Sequence, residues 1–195
     1  MSSHDANTRT RILDASVRLM ADRGGKGVRM GDIAKAANIS RQAVYLHFTS
    51  RAELLEATTR HLDRQLNLEH RLEPSRAATT GADRLARYIE FWGNYIPEIY
   101  PVAKALLLAQ DTDEAAATAW RERMQAMRDG CRAAIEALAA DGDLAPQWTA
   151  ERATDMLWTL LSVRNWEQLT QDCGWPASQY IQWMQTVAHR TFVAN

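Results

Sequence analysis

Apolar residues recur every three or four positions along most of the chain, which is the spacing of a helix that buries one face. In residues 9–22, for example, Ile12, Ala15 and Leu19 fall on one side of such a helix. No segment alternates apolar and polar residues convincingly over the length of a strand. The pattern therefore predicts an all-α fold.

Glycine, proline and capping residues divide this pattern into separate helices. The Gly24–Gly27 run ends the first helix, Asn38 lies in a tight turn, and Ser50 opens a capping box. Residues 74–81 are expected to form a linker, because they begin at a proline and end at a glycine. A further break is expected at Pro97. The predicted helices cover residues 9–22, 30–36, 40–47, 50–69, 82–95, 97–109, 113–140, 149–171 and 177–193.

Charge is distributed unevenly along the chain. Residues 1–60 contain ten Lys/Arg and six Asp/Glu, whereas residues 61–195 contain 13 Lys/Arg and 18 Asp/Glu. The basic first part and acidic remainder nearly cancel, leaving a net charge of −1. A basic segment in front of an acidic body indicates that the front meets a polyanion, although solvated surfaces often have a similar excess.

Cysteine usage and hydropathy restrict the compartment and the cofactors. Cys131 and Cys173 are too few for a disulfide framework or a thiolate metal site. No apolar run approaches the roughly 18 residues of a membrane span, and the polar start lacks a secretory signal core. We therefore expect a cytoplasmic protein with no membrane partner, no metal and no cofactor.

Residues 32–48 fit the requirements of a helix-turn-helix. Ala34 supplies a small side chain where the two helices cross, and Asn38 tolerates the positive φ of the turn. Ile33, Ile39 and Val44 are spaced to lock the two helices together. This segment predicts a unit that places its second helix in the major groove of DNA.

The second helix of this motif is rich in hydrogen-bond donors. Ser40 can cap the helix, and Arg41, Gln42, Tyr45 and His47 are expected to be exposed. Arg and Gln can read purine edges, whereas Tyr, His and Ser more often hold phosphates. A generic helical hairpin or a protein-binding helical module is the alternative, but it leaves this polar face without a role.

Several short motifs then agree in order and spacing with a known family. Residues 10–56 resemble the N-terminal part of the tetracycline-repressor (TetR) family, whose members are dimeric regulators and mostly repressors. The resemblance implies an operator-binding domain at residues 1–56 and an effector-binding, dimerising domain at residues 57–195. The motifs are Ile12-Leu13-Asp14-Ala15, Asp32-Ile33-Ala34, Ile39-Ser40-Arg41, Val44-Tyr45-Leu46-His47-Phe48 and Ser50-Arg51-Ala52-Glu53-Leu54-Leu55.

The resemblance also implies roles for individual residues. By motif position, Tyr45, His47 and Arg51 correspond to phosphate contacts, and Arg41 and Gln42 to base readers. Arg29 stands where the family usually has a serine or threonine cap, so it either weakens the cap or itself reaches phosphate. The partners implied are a double-stranded DNA operator, a second copy of the chain and a small-molecule effector.

Two features of the C-terminal part suit dimerisation and effector binding. On the last helix, Tyr180, Trp183, Met184, Val187 and Thr191 form one stripe, which can pack on a second subunit or on its own. Aromatic and sulfur side chains on the middle helices suit a pocket for an apolar or aromatic effector, or simply a core. The candidate ligand residues are Trp92, Tyr95, Trp120, Met124, Met127 and Trp158.

An all-α enzyme is the main rival class. The sequence has no Glu-x-x-His pair of the di-iron kind, no His-Glu-x-x-His and no P-loop. It also lacks Gly-x-Ser-x-Gly. No catalytic residue is therefore proposed, and we expect a ligand-responsive DNA-binding regulator, with a helical protein-interaction module as the alternative.

Overall fold

The computed structural model describes residues 3–23 and 28–194, and the predicted all-α fold is confirmed. In these ranges no strand forms, apart from an isolated bridge between Leu144 and Val193. A π-helical turn, Gln168–Asp172, follows α9. The helices are α1 (Ser3–Arg23), α2 (Met30–Ala36), α3 (Arg41–His47), α4 (Arg51–Gln65), α5 (Leu68–Arg76), α6 (Gly81–Ala109), α7 (Glu114–Ala140), α8 (Ala150–Leu160), α9 (Val163–Glu167) and α10 (Ala177–Phe192).

Periodicity located four of the described helices to within a residue or two of their observed positions at both ends. The predictions for α2, α3, α7 and α10 all agree with the structure in this way. The predicted end of the first helix at Gly24–Gly27 lies outside the described residues. These helices were predictable because each has a local start or stop signal beside a clear apolar face.

The break expected at Pro97 is wrong, because α6 continues through both Pro97 and Pro101. Each proline removes one backbone hydrogen bond and costs about 3 kcal/mol in a helix interior. Both prolines are exposed, whereas Ile96 and Val102 beside them are buried. Burying an aliphatic side chain contributes about 1.5–3 kcal/mol, so the apolar face on either side of the prolines holds the helix together.

The linker expected at residues 74–81 is also partly helical. Pro74 lies inside α5, which continues to Arg76, and residues 77–80 alone are non-helical. Pro74 lies in the last turn of α5, so the backbone hydrogen bond that it cannot donate is lost only near the end of the helix. The end of α5 is then held by Ser75, whose buried hydroxyl donates to the Arg84 carbonyl at 3.0 Å.

Two long predicted helices are divided by side chains that compete for the backbone. Residues 50–69 are interrupted at Asn67, whose φ of +54° ends the helical path. Residues 149–171 are interrupted at Ser162, whose hydroxyl accepts from the Asn165 N–H at 3.3 Å and begins α9. Serine and asparagine favour such local bonds over the interior of a helix.

The chain forms two compact units. The first consists of the residues up to Asn67 together with Ile99–Arg123, and the second of Leu68–Glu98 with Met124–Asn195. In the first unit, α1 packs against α2 and α4, and α2 packs against α3. Part of the core of this unit comes from later in the chain. Val102 and Leu106 are buried in the same cluster as Ile12, Ile33, Leu54 and Leu55. The predicted domain boundary after residue 56 stays a prediction.

The second unit has its own core of fully buried aliphatic and aromatic side chains. The start of α6 lies so close to the end of α7 that a Cβ on Gly81 would sit 2.3 Å from the Leu138 Cα. Glycine is therefore required at this contact, and its N–H donates to the Asp141 carboxylate at 2.6 Å. The core of the second unit includes Ile89, Ile96, Ile135, Leu138, Leu157, Tyr180 and Phe192.

Candidate nucleic-acid interface

The turn between α2 and α3 has the geometry of a helix-turn-helix. Asn38 has a φ of +55°, as its position in the turn predicts. The Ile39 N–H donates to the Ala34 carbonyl at 3.0 Å and closes the turn. Ala34 is buried at the crossing, and Val44 on α3 is fully buried beneath it. The orientation of α3 is thus fixed by buried contacts, which leaves its opposite face for another molecule.

Both short helices are capped, although in different ways. Ser40 accepts from the Ala43 N–H at 3.0 Å and caps α3, as predicted. The Arg29 side chain has no acceptor, so it cannot cap α2 itself. The Asp32 carboxylate instead accepts from the Arg29 N–H at 3.3 Å. Asp32 thus supplies the cap, and the exposed guanidinium of Arg29 is left available to an anion.

The exposed face of α3 carries two rows of side chains, each formed by residues four apart. In the first row, Arg41 Nη2 lies 3.4 Å from the Tyr45 hydroxyl, and the guanidinium stands 5.7 Å from the centre of the Tyr45 ring. The second row consists of Gln42 and Leu46, and Leu46 is 84% exposed. Sequence reasoning singled out the donors on this helix but missed Leu46, whose exposure follows from its spacing to Gln42.

His47 differs from the expectation that it is exposed. Only 12% of its side chain is accessible, and its Nδ1 lies 3.4 Å from the Asp5 carboxylate. The reason is its place at the end of α3, where the side chain turns back toward the start of α1. A contact between His47 and phosphate would therefore have to use the small part of the ring that remains accessible.

Arg51 is held by two groups of the first unit. Its Nε donates to the Val28 carbonyl at 3.0 Å, and its guanidinium forms a close ion pair with Asp113. The two charged side chains are 24% and 25% exposed. Asp113 also accepts from the Ala115 N–H at 3.1 Å, so one carboxylate both caps α7 and binds Arg51.

Two more ion pairs join α4 to α7. The Arg60 Nε donates to Glu122 at 2.9 Å, and Arg123 lies 2.7 Å from Asp63. The Asp63–Arg123 pair is the more sheltered one, with side chains 14% and 24% exposed. With Arg51–Asp113, these pairs form what we call the α4–α7 clasp, which ties the helix after the reading helix to α7. Its members lie about 60 residues apart in sequence, so periodicity alone gives no sign of it.

A recess of about 370 Å³ lies beside the Arg41–Tyr45 row. Three arginine side chains and one aspartate line it, so its charge suits an anion. Its lining consists of Arg29, Met30, Gly31, Asp32, Arg41, Tyr45 and Arg51. Four of the residues predicted to contact DNA thus lie around one depression, whereas Gln42 and His47 are not part of its lining.

The predicted effector residues are divided between the two units. Trp120 packs against the core of the first unit. In the second unit Trp92, Tyr95 and Met127 are buried, while Met124 and Trp158 are half-buried. The indole N–H of Trp92 donates to the Leu161 carbonyl at 2.7 Å, and the Tyr95 ring stacks on Phe91 with 5.2 Å between centroids.

A small polar group is buried among these apolar side chains. The Tyr88 hydroxyl donates to the Met127 carbonyl at 3.1 Å and lies 3.9 Å from the Cys131 Sγ. Burial raises the pKa of the Cys131 thiol to about 12. Burial, with a smaller contribution from Cys131, also raises the pKa of Tyr180. Within the described residues, the buried Tyr180 hydroxyl has no hydrogen-bond partner.

The stripe predicted on the last helix is split between two directions. Tyr180 and Met184 are buried in the second unit, and Val187 and Thr191 are half-buried. Trp183 points outward with 47% of its surface accessible, and Met156 on the neighbouring α8 is 41% exposed. The neighbouring helices α8 and α10 therefore each present one large apolar side chain to solvent.

Residues 3–23 and 28–194 contain no group of three or more His, Cys, Asp and Glu side chains that could hold a metal ion. His61 on α4 binds the Asp14 carboxylate, with 2.7 Å between its Nε2 and the carboxylate oxygen. In these same ranges, no helix is both long and apolar enough to cross a membrane.

Comparison with known proteins agrees with the geometry of the first unit. Residues 12–58 match the family model described as bacterial regulatory proteins of the tetR family. Over 47 residues the chain is 43% identical to the HTH-type transcriptional regulator AcrR of Shigella flexneri. These aligned residues make up 24% of this chain and 22% of AcrR. The chain spans about a third or less of the length of the curated relatives that it matches first.

Solved structures extend the likeness to the whole fold. A transcriptional regulator from Saccharomonospora viridis, in complex with choline, has a TM-score of 0.76 at 19% identity and covers 97% of this chain and 100% of its own. NalD, the secondary repressor of the MexAB-OprM multidrug efflux pump in Pseudomonas aeruginosa, has a TM-score of 0.70 at 19% identity and covers 99% of both chains. At these identities the likeness concerns the fold. Residues 12–58 of the chain thus match the tetR family of bacterial regulatory proteins, and its all-α architecture agrees with the fold of these solved regulators.

Proposed function

We propose that this chain is a tetR-family transcriptional regulator, namely a homodimer that binds a palindromic DNA operator, represses transcription there, and is released by a small apolar or aromatic effector. The observation that carries the proposal is the exposed, donor-rich face of α3, held outward by the buried Ala34 and Val44 and bordered by three arginines. A purely structural hairpin would not need this polar face.

Each predicted DNA contact has a defined place in the proposal. Arg41 and Gln42 read base edges, since guanidinium and amide groups can bond bidentately to purines. Tyr45 holds a phosphate, which sets register without selecting sequence. The remaining backbone contacts come from the residues around the recess and the ends of α3, namely Arg29, Ser40, His47 and Arg51.

Dimerisation follows from the outward face of α8 and α10. Trp183 and Met156 are large apolar side chains at 47% and 41% exposure, and covering them with the same face of a second copy removes them from water. Such an interface is isologous and gives the dimer a two-fold axis. Two copies of α3 related by that axis suit half-sites about one DNA turn apart.

The effector is proposed to bind in the second unit, among Trp92, Tyr95, Met124, Met127 and Trp158. Aromatic rings with adaptable methionines favour an apolar or aromatic molecule. The buried Tyr180 hydroxyl adds a group that can donate a hydrogen bond to an oxygen atom of the effector. That a protein of similar fold is in complex with choline supports a small-molecule effector for this chain.

The α4–α7 clasp offers a route from effector to DNA. Met124 and Met127 lie on α7, the same helix that Asp113 caps and that Glu122 and Arg123 join to α4. A shift of α7 on effector binding would carry α4 with it and change the separation of the two α3 helices. Effector and DNA would then oppose each other with a reciprocal coupling free energy of about 1–3 kcal/mol.

Selection of bound fragments from random DNA by the purified protein tests the function. We expect an enriched palindromic site, and affinity for it that falls steeply with salt because several phosphates are contacted. The enriched duplex can then be used to screen for small molecules that release it. No enriched site, together with weak binding even at low salt, would refute the regulator and favour a helical protein-interaction module.

A further inference from the structure

Leu46 is an apolar side chain placed where the fold gives it nothing to contact. It lies in α3 and is 84% exposed, more than any of the other large apolar side chains that stand out on the described surface. Val44 and Phe48, on either side of it, are fully buried and already anchor this part of the chain. Leu46 is therefore not needed for the packing of α3.

The geometry of α3 separates Leu46 from the arginine-lined recess, whose charge suits an anion. Arg41 and Tyr45 contact each other and line the arginine recess, together with Arg29 and Arg51. Leu46 follows Gln42 by one helical turn, on a neighbouring row that does not line this recess. With Tyr45 against a phosphate, Leu46 lies one residue further round the helix, on the row whose Gln42 is proposed to read a base edge.

The chemistry of the major groove identifies what an apolar side chain can contact there. Thymine alone among the four bases presents a methyl group in this groove, whereas the other edges offer donors and acceptors. Gln42, on the same row, suits the edge of adenine. Residues one turn apart are separated by about 6 Å along the helix axis, or about two base-pair steps.

We propose that Leu46 contacts the 5-methyl group of a thymine in the operator half-site, within about two base pairs of the base that Gln42 reads. This makes Leu46 a specificity-determining residue, which selects by apolar contact rather than by hydrogen bonding. The inference rests on the proposed function, because it requires a sequence-specific operator.

The test is a uracil scan of the selected operator. Each thymine of a half-site is replaced in turn by uracil, which lacks only the methyl group, and binding is measured for the wild-type protein and for Leu46→Ala. One position should weaken wild-type binding by about fourfold per half-site, the value expected for one buried methyl-sized group. Leu46→Ala should bind the thymine and uracil duplexes equally.

Gln42→Ala is the matched control, because it shortens the neighbouring exposed side chain on the same row. It should keep the fourfold uracil effect while losing preference at a different base pair. Since Leu46 is largely exposed, Leu46→Ala should unfold at the same temperature as the wild type. The uracil scan on the wild-type protein needs no variant, so it tests for a thymine-methyl contact even if Leu46→Ala does not fold.

Three results would overturn the inference. A selected operator at which no uracil substitution weakens binding would exclude a thymine-methyl contact while leaving the proposed function intact. A uracil effect that persists in Leu46→Ala would assign the methyl contact to another residue. Absence of any selected operator would refute the proposed function and this inference with it.

Discussion

The substitution Asp113→Asn separates two roles that the structure gives to one carboxylate. Asp113 caps α7 through its Oδ1 and pairs with Arg51 through its Oδ2. Asparagine caps helices as well as aspartate does, so the substitution keeps the cap and removes the charge. The resulting loss of stability therefore measures the contribution of the Arg51–Asp113 ion pair, and not that of the cap at the start of α7.

The expected size of the effect follows from the burial of this pair. Exposed ion pairs are worth about 0–1 kcal/mol, and hydrogen bonds to charged groups about 1.5–3 kcal/mol. Because both side chains are about three-quarters buried, we expect a loss of about 1–2 kcal/mol in the free energy of unfolding. For a chain of this length, the unfolding midpoint should fall by roughly 2–8 °C.

Thermal unfolding at a fixed protein concentration measures this effect, with Asp111→Asn as control. Asp111 is exposed and two residues away, so the control makes the same charge change outside the clasp. The double variant Arg51→Gln/Asp113→Asn should be less destabilised than the sum of its single variants, because the two residues interact. Two results would refute a stabilising ion pair. One is an unfolding midpoint of Asp113→Asn equal to that of Asp111→Asn, and the other is a double variant whose loss of stability equals the sum of the two single losses.

Three further predictions concern the reading helix, the dimer face and the buried thiol. Tyr45→Phe should weaken binding to all duplexes by a similar factor, whereas Gln42→Ala should relax preference at one or two base pairs, as a selection repeated with each variant would reveal. If the two variants change binding in the same way, the assignment of phosphate and base contacts is wrong. Trp183→Glu should raise the dimer dissociation constant by about tenfold or more in analytical ultracentrifugation, because a charge replaces an apolar contact, and the exposed neighbour Gln182→Glu should not. Equal dimerisation of both variants would exclude this face. A pKa raised to about 12 keeps Cys131 protonated throughout the neutral range, so at pH 8 only the exposed Cys173 should react with iodoacetamide, and both thiols should react after unfolding. Labelling of both thiols in the folded protein would contradict this.

Local signals explain what the sequence predicted well. The turn at Asn38 and the cap at Ser40 each depend on residues within a few positions, and both are found as expected. The helix-turn-helix was therefore predictable from residue types and spacing, because its geometry is set almost entirely by short-range contacts.

The errors arose where distant contacts decide the structure. Pro97 looks like a break until the buried residues on either side of it are known, and one of them, Val102, is buried in a cluster with Ile12 and Ile33 from much earlier in the chain. The ion pair between Arg51 and Asp113 likewise joins residues 62 positions apart. Single-sequence periodicity carries no information on such pairs, so the α4–α7 clasp could not have been predicted.

The central claim is that the exposed face of α3 recognises a particular DNA sequence. The most direct test compares the affinity of the wild-type protein for its selected operator with its affinity for a duplex of the same composition in scrambled order, at one physiological salt concentration. The account predicts a ratio of about a thousandfold or more. Equal affinity for the two duplexes would contradict it, since charge alone would then explain all of the binding.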